Sequence, residues 1–226
     1  MILGIVYAMA NEGAIISSKL AGKQVKRIAG FEFVSGSIGA NQVVLVEAGV
    51  GKVNSAISTA LLIENFKPEL IINSGIAGGS HGLKMKDIIL SNKVGYSDVD
   101  VRALGYPLGA IPNMPRFFEP DTEMYEKVKA ILTNLGKNFL ELPTLTADKF
   151  IDSQQDIRVR LDTRFACDME GASIAQACYI FDVPFVEIRF ISDILDSSNH
   201  LADYQQFEDE SCKLSAEVTL SLLEQL

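Results

Sequence analysis

The chain has 226 residues, 48% hydrophobic and 22% charged, enough for one large domain or two small ones with a proper core. A formal net charge of −9 works against binding phosphate backbones, so nucleic acid is not an expected partner. His81 and His200 have no paired ligand motif, the three cysteines have no CxxC spacing, and no segment reaches the length of a membrane span, so no metal, cofactor, disulfide or membrane partner is expected.

The apolar start MILGIVYA reads as a strand without a basic leader, and a helix is expected from about Glu12 to Leu20. With reduced Cys167, Cys178 and Cys212, this suggests a soluble, cytoplasmic protein. FEFVSGSIG and NQVVLVEAG read as neighbouring strands, followed by a helix over GKVNSAISTALLIENF that ends before Pro68. ELIINSG is an apolar strand expected to run into a glycine turn, GIAGG, and DIILSNKVGYS is another strand. Residues 97–120 carry Pro107, Pro112, Pro115 and Pro120 and read as a long functional or interface-forming loop. An amphipathic helix over DTEMYEKVKAILTNL, a strand over FLELPTLTA and a helical turn over about 154–164 come next. A brief strand at 166–169, a helix from there, the long strand PFVEIRFISD and a closing helix over 203–226 complete the chain. Strands alternate with helices and several strands are apolar on both faces. The pattern predicts one α/β domain over 1–226, a three-layer α/β/α sandwich around a mixed, mostly parallel sheet.

In such sheets ligands gather at the carboxyl ends of strands. Glu12 follows the first strand, Glu170 follows the strand at 166–169, Ser192-Asp193 ends PFVEIRFISD, and SGIAGG follows the strand at 69–74. Each has a plainer explanation. In CDMEGASIAQACYIF, Asp168 and Glu170 would complement a helix dipole by about 0.3–1 kcal/mol each. Glu12 would be a solvated helix start, and Asp193 a turn or capping residue. Periodicity alone reaches an α/β enzyme with an acidic pocket.

AMANE, AGVGKVNSA, IINSGIAGG, DMEGASIAQAC and VPFVEIRFISD together resemble, in order and nearly in register, the 5′-methylthioadenosine/S-adenosylhomocysteine nucleosidases of the nucleoside phosphorylase superfamily. The resemblance covers almost the whole chain. It implies a nucleoside phosphorylase-like fold and hydrolysis of the adenine–ribose bond of 5′-thio-substituted adenosines, in methionine salvage. That reaction needs an acid to protonate the leaving base and a carboxylate to activate water. By the resemblance Asp193 is the acid and Glu12 activates water. Glu170 would grip the ribose hydroxyls with Met169 packed on the sugar, Phe150 would stack on adenine, and the Ile151 backbone would bond the base edge. Ile76, Ala77, Val50 and Ser192 complete the implied substrate site, with Tyr204 near the 5′ group. The chain departs from the family at Ile76 (commonly a small hydroxyl residue), at Tyr7 and Ala147 (commonly glycines) and over 194–207.

Two enzymic alternatives are a phosphorylase and a futalosine-type nucleosidase; a third is a non-catalytic nucleoside-binding relative. A phosphorylase needs cationic donors for phosphate, yet AMANEGAIISS has no Lys or Arg before Lys19, and Glu12 would repel the anion. The resemblance also implies a homodimer. Leu104, Tyr106, Ile111, Met114 and Phe117 of the 101–118 loop are available for contact, and Ile111 and Met114 are expected at its interface.

Overall fold

The computed structural model describes residues 1–198 and 200–226, with the side chains of His200 and Leu201 outside that description. The middle of the divergent 194–207 segment therefore lies outside the described residues. Among the described residues ten strands form one mixed sheet in the order β10-β6-β8-β9-β5-β1-β4-β3-β2, with β7 (Phe117–Phe118) on β6. The strands are β1 (Ile2–Tyr7), β2 (Ala21–Ile28), β3 (Phe31–Ile38), β4 (Asn41–Glu47), β5 (Leu70–Gly79) and β6 (Ile88–Tyr96). They continue with β8 (Phe139–Thr146), β9 (Ala166–Asp168) and β10 (Phe185–Ile194). Parallel pairing runs through β4-β1-β5-β10 and through β6-β8-β9. Because β10 pairs with both β5 and β6, strands β5, β10, β6, β8 and β9 close on themselves.

Alternation along each strand decides which helices cover which face. Leu3, Ile5, Leu70, Ile72, Val186, Ile188 and Phe190 pack with α1 (Ala10–Lys19), α3 (Thr122–Asn134) and α5 (His200–Gln225). Val6, Val44, Val46 and Ile71 turn the other way, onto α2 (Lys52–Phe66) and α4 (Gly171–Phe181). Each face is therefore apolar in its own right, which is why the central strands read as continuous hydrophobic runs. Helices α2 and α4 both stop on a left-handed residue, Lys67 (φ 49°) and Asp182 (φ 54°), shortly before Pro68 and Pro184.

Three expectations need correction. SGIAGG is not a turn: β5 continues through it to Gly79, because side chains of neighbouring elements fill the space its missing Cβ atoms leave. A Cβ on Gly78 would sit 2.9 Å from Asp193 Oδ2 and 3.0 Å from Cys167 Sγ. The helical turn expected over 154–164 shrinks to a 3₁₀ turn at Gln154–Asp156. Residues 21–28 form an edge strand that the sequence reading omits. It is exposed almost throughout and carries Lys23, Lys26 and Arg27, so it has neither alternation nor an apolar run to reveal it.

Candidate active site

A cavity of about 280 Å³ opens where β1, β5, β9 and β10 end. All eleven residues singled out from the sequence line it: Glu12, Val50, Ile76, Ala77, Phe150, Ile151, Met169, Glu170, Ser192, Asp193 and Tyr204. Ala8, Met9, Gly78, Lys149, Cys167 and Asp168 complete the lining.

Glu12 is no solvated helix start. It is 3% exposed, and its carboxylate accepts three backbone N–H groups: Ala8 (2.8 Å), Met9 (2.9 Å) and Ile76 (3.0 Å). The first two are orphan donors at the entry to α1, and the third comes from β5, so one side chain ties two elements together. Gly75 makes this possible, since a Cβ there would lie 2.6 Å from Glu12 Oε1. Burial raises the Glu12 carboxyl above its ordinary value, against the lowering effect of those donors and of Arg189.

Asp193 is 2% exposed and takes the Ser192 hydroxyl on Oδ1 at 2.6 Å. The register of β10 on β5 passes from Ile191–Ala77 straight to Asp193–Gly78, so Ser192 is the extra residue of a bulge. Bulges re-aim side chains, and this one places Asp193 beside the cavity. Three residues later the chain turns back. Asp196, at φ 61°, takes Ser153 Oγ (2.5 Å) and Gln154 Nε2 (3.0 Å), and its N–H donates to Asp152 O (2.9 Å). This latch joins the segment following Asp193 to the segment following Phe150 and Ile151.

Glu170 stands at the N-cap of α4, 9% exposed, and Oε1 accepts from Gly51 N at 2.7 Å. Burial, then the charge of Asp168, raises its carboxyl to about 7. Phe150 is 44% exposed and meets Tyr204 edge-on, with ring centroids 5.4 Å apart. Tyr204 reaches Met9 Sδ at 3.8 Å, whereas Asp203 is engaged by Ser197, so the aromatic at this wall is Tyr204. At the rim Lys149 pairs with Asp156 (2.6 Å), and Lys52 joins Asp98 (2.8 Å) and Asp148 (3.7 Å).

Sequence reasoning missed Glu187 and Arg189, which back the wall behind Asp168. Arg189 binds Asp168 at 2.5 Å and Glu187 at 3.3 Å, all three buried, and Thr146 donates to Asp168 at 2.5 Å. The only signal was two charged residues inside the apolar run FVEIRF. Among the described residues no group of His, Cys, Asp or Glu side chains is placed to hold a metal ion. The arrangement offers buried carboxylates of different surroundings around an apolar, aromatic-edged space, suited to proton transfer on a flat, polar-edged molecule.

The Phosphorylase superfamily profile matches residues 2–224. A 5′-methylthioadenosine/S-adenosylhomocysteine nucleosidase of an Exiguobacterium species is 38% identical over 231 residues, covering 100% of this chain and 99% of the relative. An S-adenosylhomocysteine nucleosidase from Streptococcus pyogenes, crystallised with 5-methylthiotubericidin, superposes with a TM-score of 0.94 at 31% identity, covering 100% of this chain and 97% of the other. The corresponding nucleosidase from Colwellia psychrerythraea, crystallised with adenine, gives 0.93 at 34% identity, covering 100% and 96%.

Proposed function

This chain belongs to the 5′-methylthioadenosine/S-adenosylhomocysteine nucleosidases of the phosphorylase superfamily, and from that premise we propose how its own residues carry the reaction. It is an N-glycosyl hydrolase that releases adenine from 5′-thio-substituted adenosines. Water adds its oxygen to ribose C1′ as the bond to adenine breaks. Glu12 takes the proton of that water, and Asp193 gives a proton to the departing base at N7. Burial, which makes the Glu12 carboxyl hold a proton more tightly, suits it to the first role. The Ser192 hydroxyl occupies one oxygen of Asp193 and fixes its direction. Glu170 holds the ribose hydroxyls, Met169 lies on the sugar, Phe150 stacks on adenine, and the Ile151 backbone meets the base edge.

The observation that carries this reading is the convergence of Glu12, Glu170 and Asp193, from three separate strand ends, on one cavity. Product analysis tests it. With methylthioadenosine and added phosphate, the expected products are free adenine and the free 5-thio sugar. A sugar 1-phosphate would identify a phosphorylase.

The same reading takes residues 1–226 as one domain, acting in the cytoplasm in methionine salvage, where thiols stay reduced; Cys167, Cys178 and Cys212 are free and buried. It also takes the protein as a homodimer. Leu104 is 71% exposed and Val53 68%, with Tyr106, Ile57, Tyr179 and Ile180 also exposed, and the Phe118 ring packs on Tyr179. That joins the 97–120 loop to α4, which packs on α2, in a surface too apolar for a monomer. Ile111 and Met114 are half-buried against the subunit's own core, and the more exposed Leu104 and Tyr106 extend the expected interface beyond them. Light scattering that shows an active monomer at micromolar concentration would refute the dimer.

A further inference from the structure

The register of β10 on β5 sets Glu187 opposite Asn73 and Arg189 opposite Gly75, on the face covered by α4. Glu187 is fully buried and lines no part of the cavity. Its Oε2 accepts from Asn73 Nδ2 (2.8 Å) and Arg189 (3.3 Å), and its Oε1 accepts from Ser91 Oγ (2.9 Å). Asn73 Nδ2 and the guanidinium can only donate, so this oxygen accepts from both; burial raises the Glu187 carboxyl, while Arg189 and the Ser91 and Thr144 hydroxyls favour its charged form. A Cβ on Gly171 would clash with both Glu187 and Asp168, so the glycine lets the N-terminus of α4 close over this pair of acids.

The guanidinium of Arg189 links Glu187 to the cavity. Its Nη2 holds Asp168 and Glu187, while its Nη1 and Glu12 Oε1 crowd the same point beside Gly75, 3.0 and 2.6 Å from where a Cβ would be. Among the described residues the charged groups facing Arg189 are Glu187 on its own strand, Asp168 on β9, Glu170 at the start of α4 and Glu12 on α1. The polar groups meeting Glu187 from β5, β6 and β8 are the neutral Asn73, Ser91 and Thr144. One cation thus serves one acid behind the wall, Glu187, and three that line the cavity, Asp168, Glu170 and Glu12.

We propose that Glu187 is a positioning residue of the hydrolase: by neutralising part of Arg189 it limits how strongly that cation acts on Glu12 and Glu170. This rests on the roles proposed above for those two residues. Gln fits in place of Glu187, with its oxygen toward Asn73 and Arg189 and its amide toward the Ser91 hydroxyl, which rotates to accept. Only the charge is lost. Arg189 then favours the ionised forms of Glu12 and Glu170 more strongly.

The experiment compares the parent, Glu187→Gln and Ser91→Ala by two readouts. The first is kcat/KM for methylthioadenosine from pH 4.5 to 9. The second is the carboxyl ¹³C titration of Glu170 in the nucleoside-free protein, assigned by its absence in Glu170→Gln. In Glu187→Gln the acid limb of the profile and the Glu170 titration should both fall by about one pH unit, the size expected for one charge lost at this depth. Ser91→Ala withdraws a donor from Glu187 and disfavours its charge, so it should shift both the same way by less; it decides the matter if the Gln variant does not fold. A purely structural Glu187 would lower activity without moving either midpoint. Midpoints that stay put or rise overturn the inference. A parent that releases no adenine sinks the proposed function instead, and the NMR titration then decides this inference alone.

Discussion

Glu170→Gln should make the nucleoside-free protein more stable at pH 8 while destroying its grip on the sugar. Glu170 is raised from an ordinary 4.5 to about 7, by burial first and by the charge of Asp168 next. A carboxyl raised on folding gives its full stability below the unfolded value, near 4.5, and loses it as pH climbs through about 7. Above that, the folded protein carries a charge it holds about 3 kcal/mol less readily than the unfolded chain does. Gln never ionises and keeps an oxygen for Gly51 N–H, which Glu170 now holds at 2.7 Å. The variant should therefore gain about 3 kcal/mol at pH 8 but under about 1 kcal/mol at pH 5. At about 2–4 °C per kcal/mol for a chain of this size, that is a Tm gain of about 6–12 °C at pH 8 and about 2–3 °C at pH 5. Scanning calorimetry without nucleoside at both pH values makes the comparison. An equal gap at the two pH values, or a variant that melts below the parent at pH 8, would refute the reasoning.

Glu12→Gln should stop hydrolysis, with a loss of about 10²–10⁴-fold, and also cost about 1–3 kcal/mol, since its amide must face either Ile76 N–H or the Ala8 and Met9 pair. Turnover assays and thermal melts check both halves, and an unchanged Tm would deny Glu12 its role as a tie between α1 and β5. Asp196→Ala removes the latch to Ser153 and Gln154, and should raise KM at least several-fold with a smaller change in kcat; an unaltered KM would show that the Phe150 segment holds its place without it. The raised Cys167, Cys178 and Cys212 thiols should resist iodoacetamide at pH 8 in the folded protein, and rapid labelling by mass spectrometry would contradict their burial.

The layers of the fold were legible because each central strand carries two apolar faces and each helix a matching stripe. Glu12, Glu170 and Asp193 were legible as acids at strand ends, whereas Phe150, Ile151, Val50 and Tyr204 were legible only through the family resemblance. The glycines of SGIAGG misled because glycine marks both a turn and a place where something else comes close. Here the visitors are Glu12, Arg189 and Asp193, from elements far apart in the chain. Glu187 and Arg189 stayed hidden for a related reason. Their meaning depends on the register of β10 against β5, which puts one beside Asn73 and the other beside Gly75, and no local pattern encodes that pairing. The role of Ser192 as a bulge residue is likewise a property of two strands together. The strand at 21–28 lay beyond pattern reasoning because its exposed edge places no hydrophobic demand on it.

Asp193 is proposed to protonate the leaving base, the step on which adenine release depends. Asp193→Asn keeps the shape and can still meet the Ser192 hydroxyl, but it is not a proton donor of useful strength. Adenine release from methylthioadenosine by the purified variant, followed by chromatography and accompanied by a binding measurement with the same nucleoside, is the direct test. Release lowered by about 10²–10⁴-fold with binding retained is the predicted result. Release close to that of the parent would contradict it.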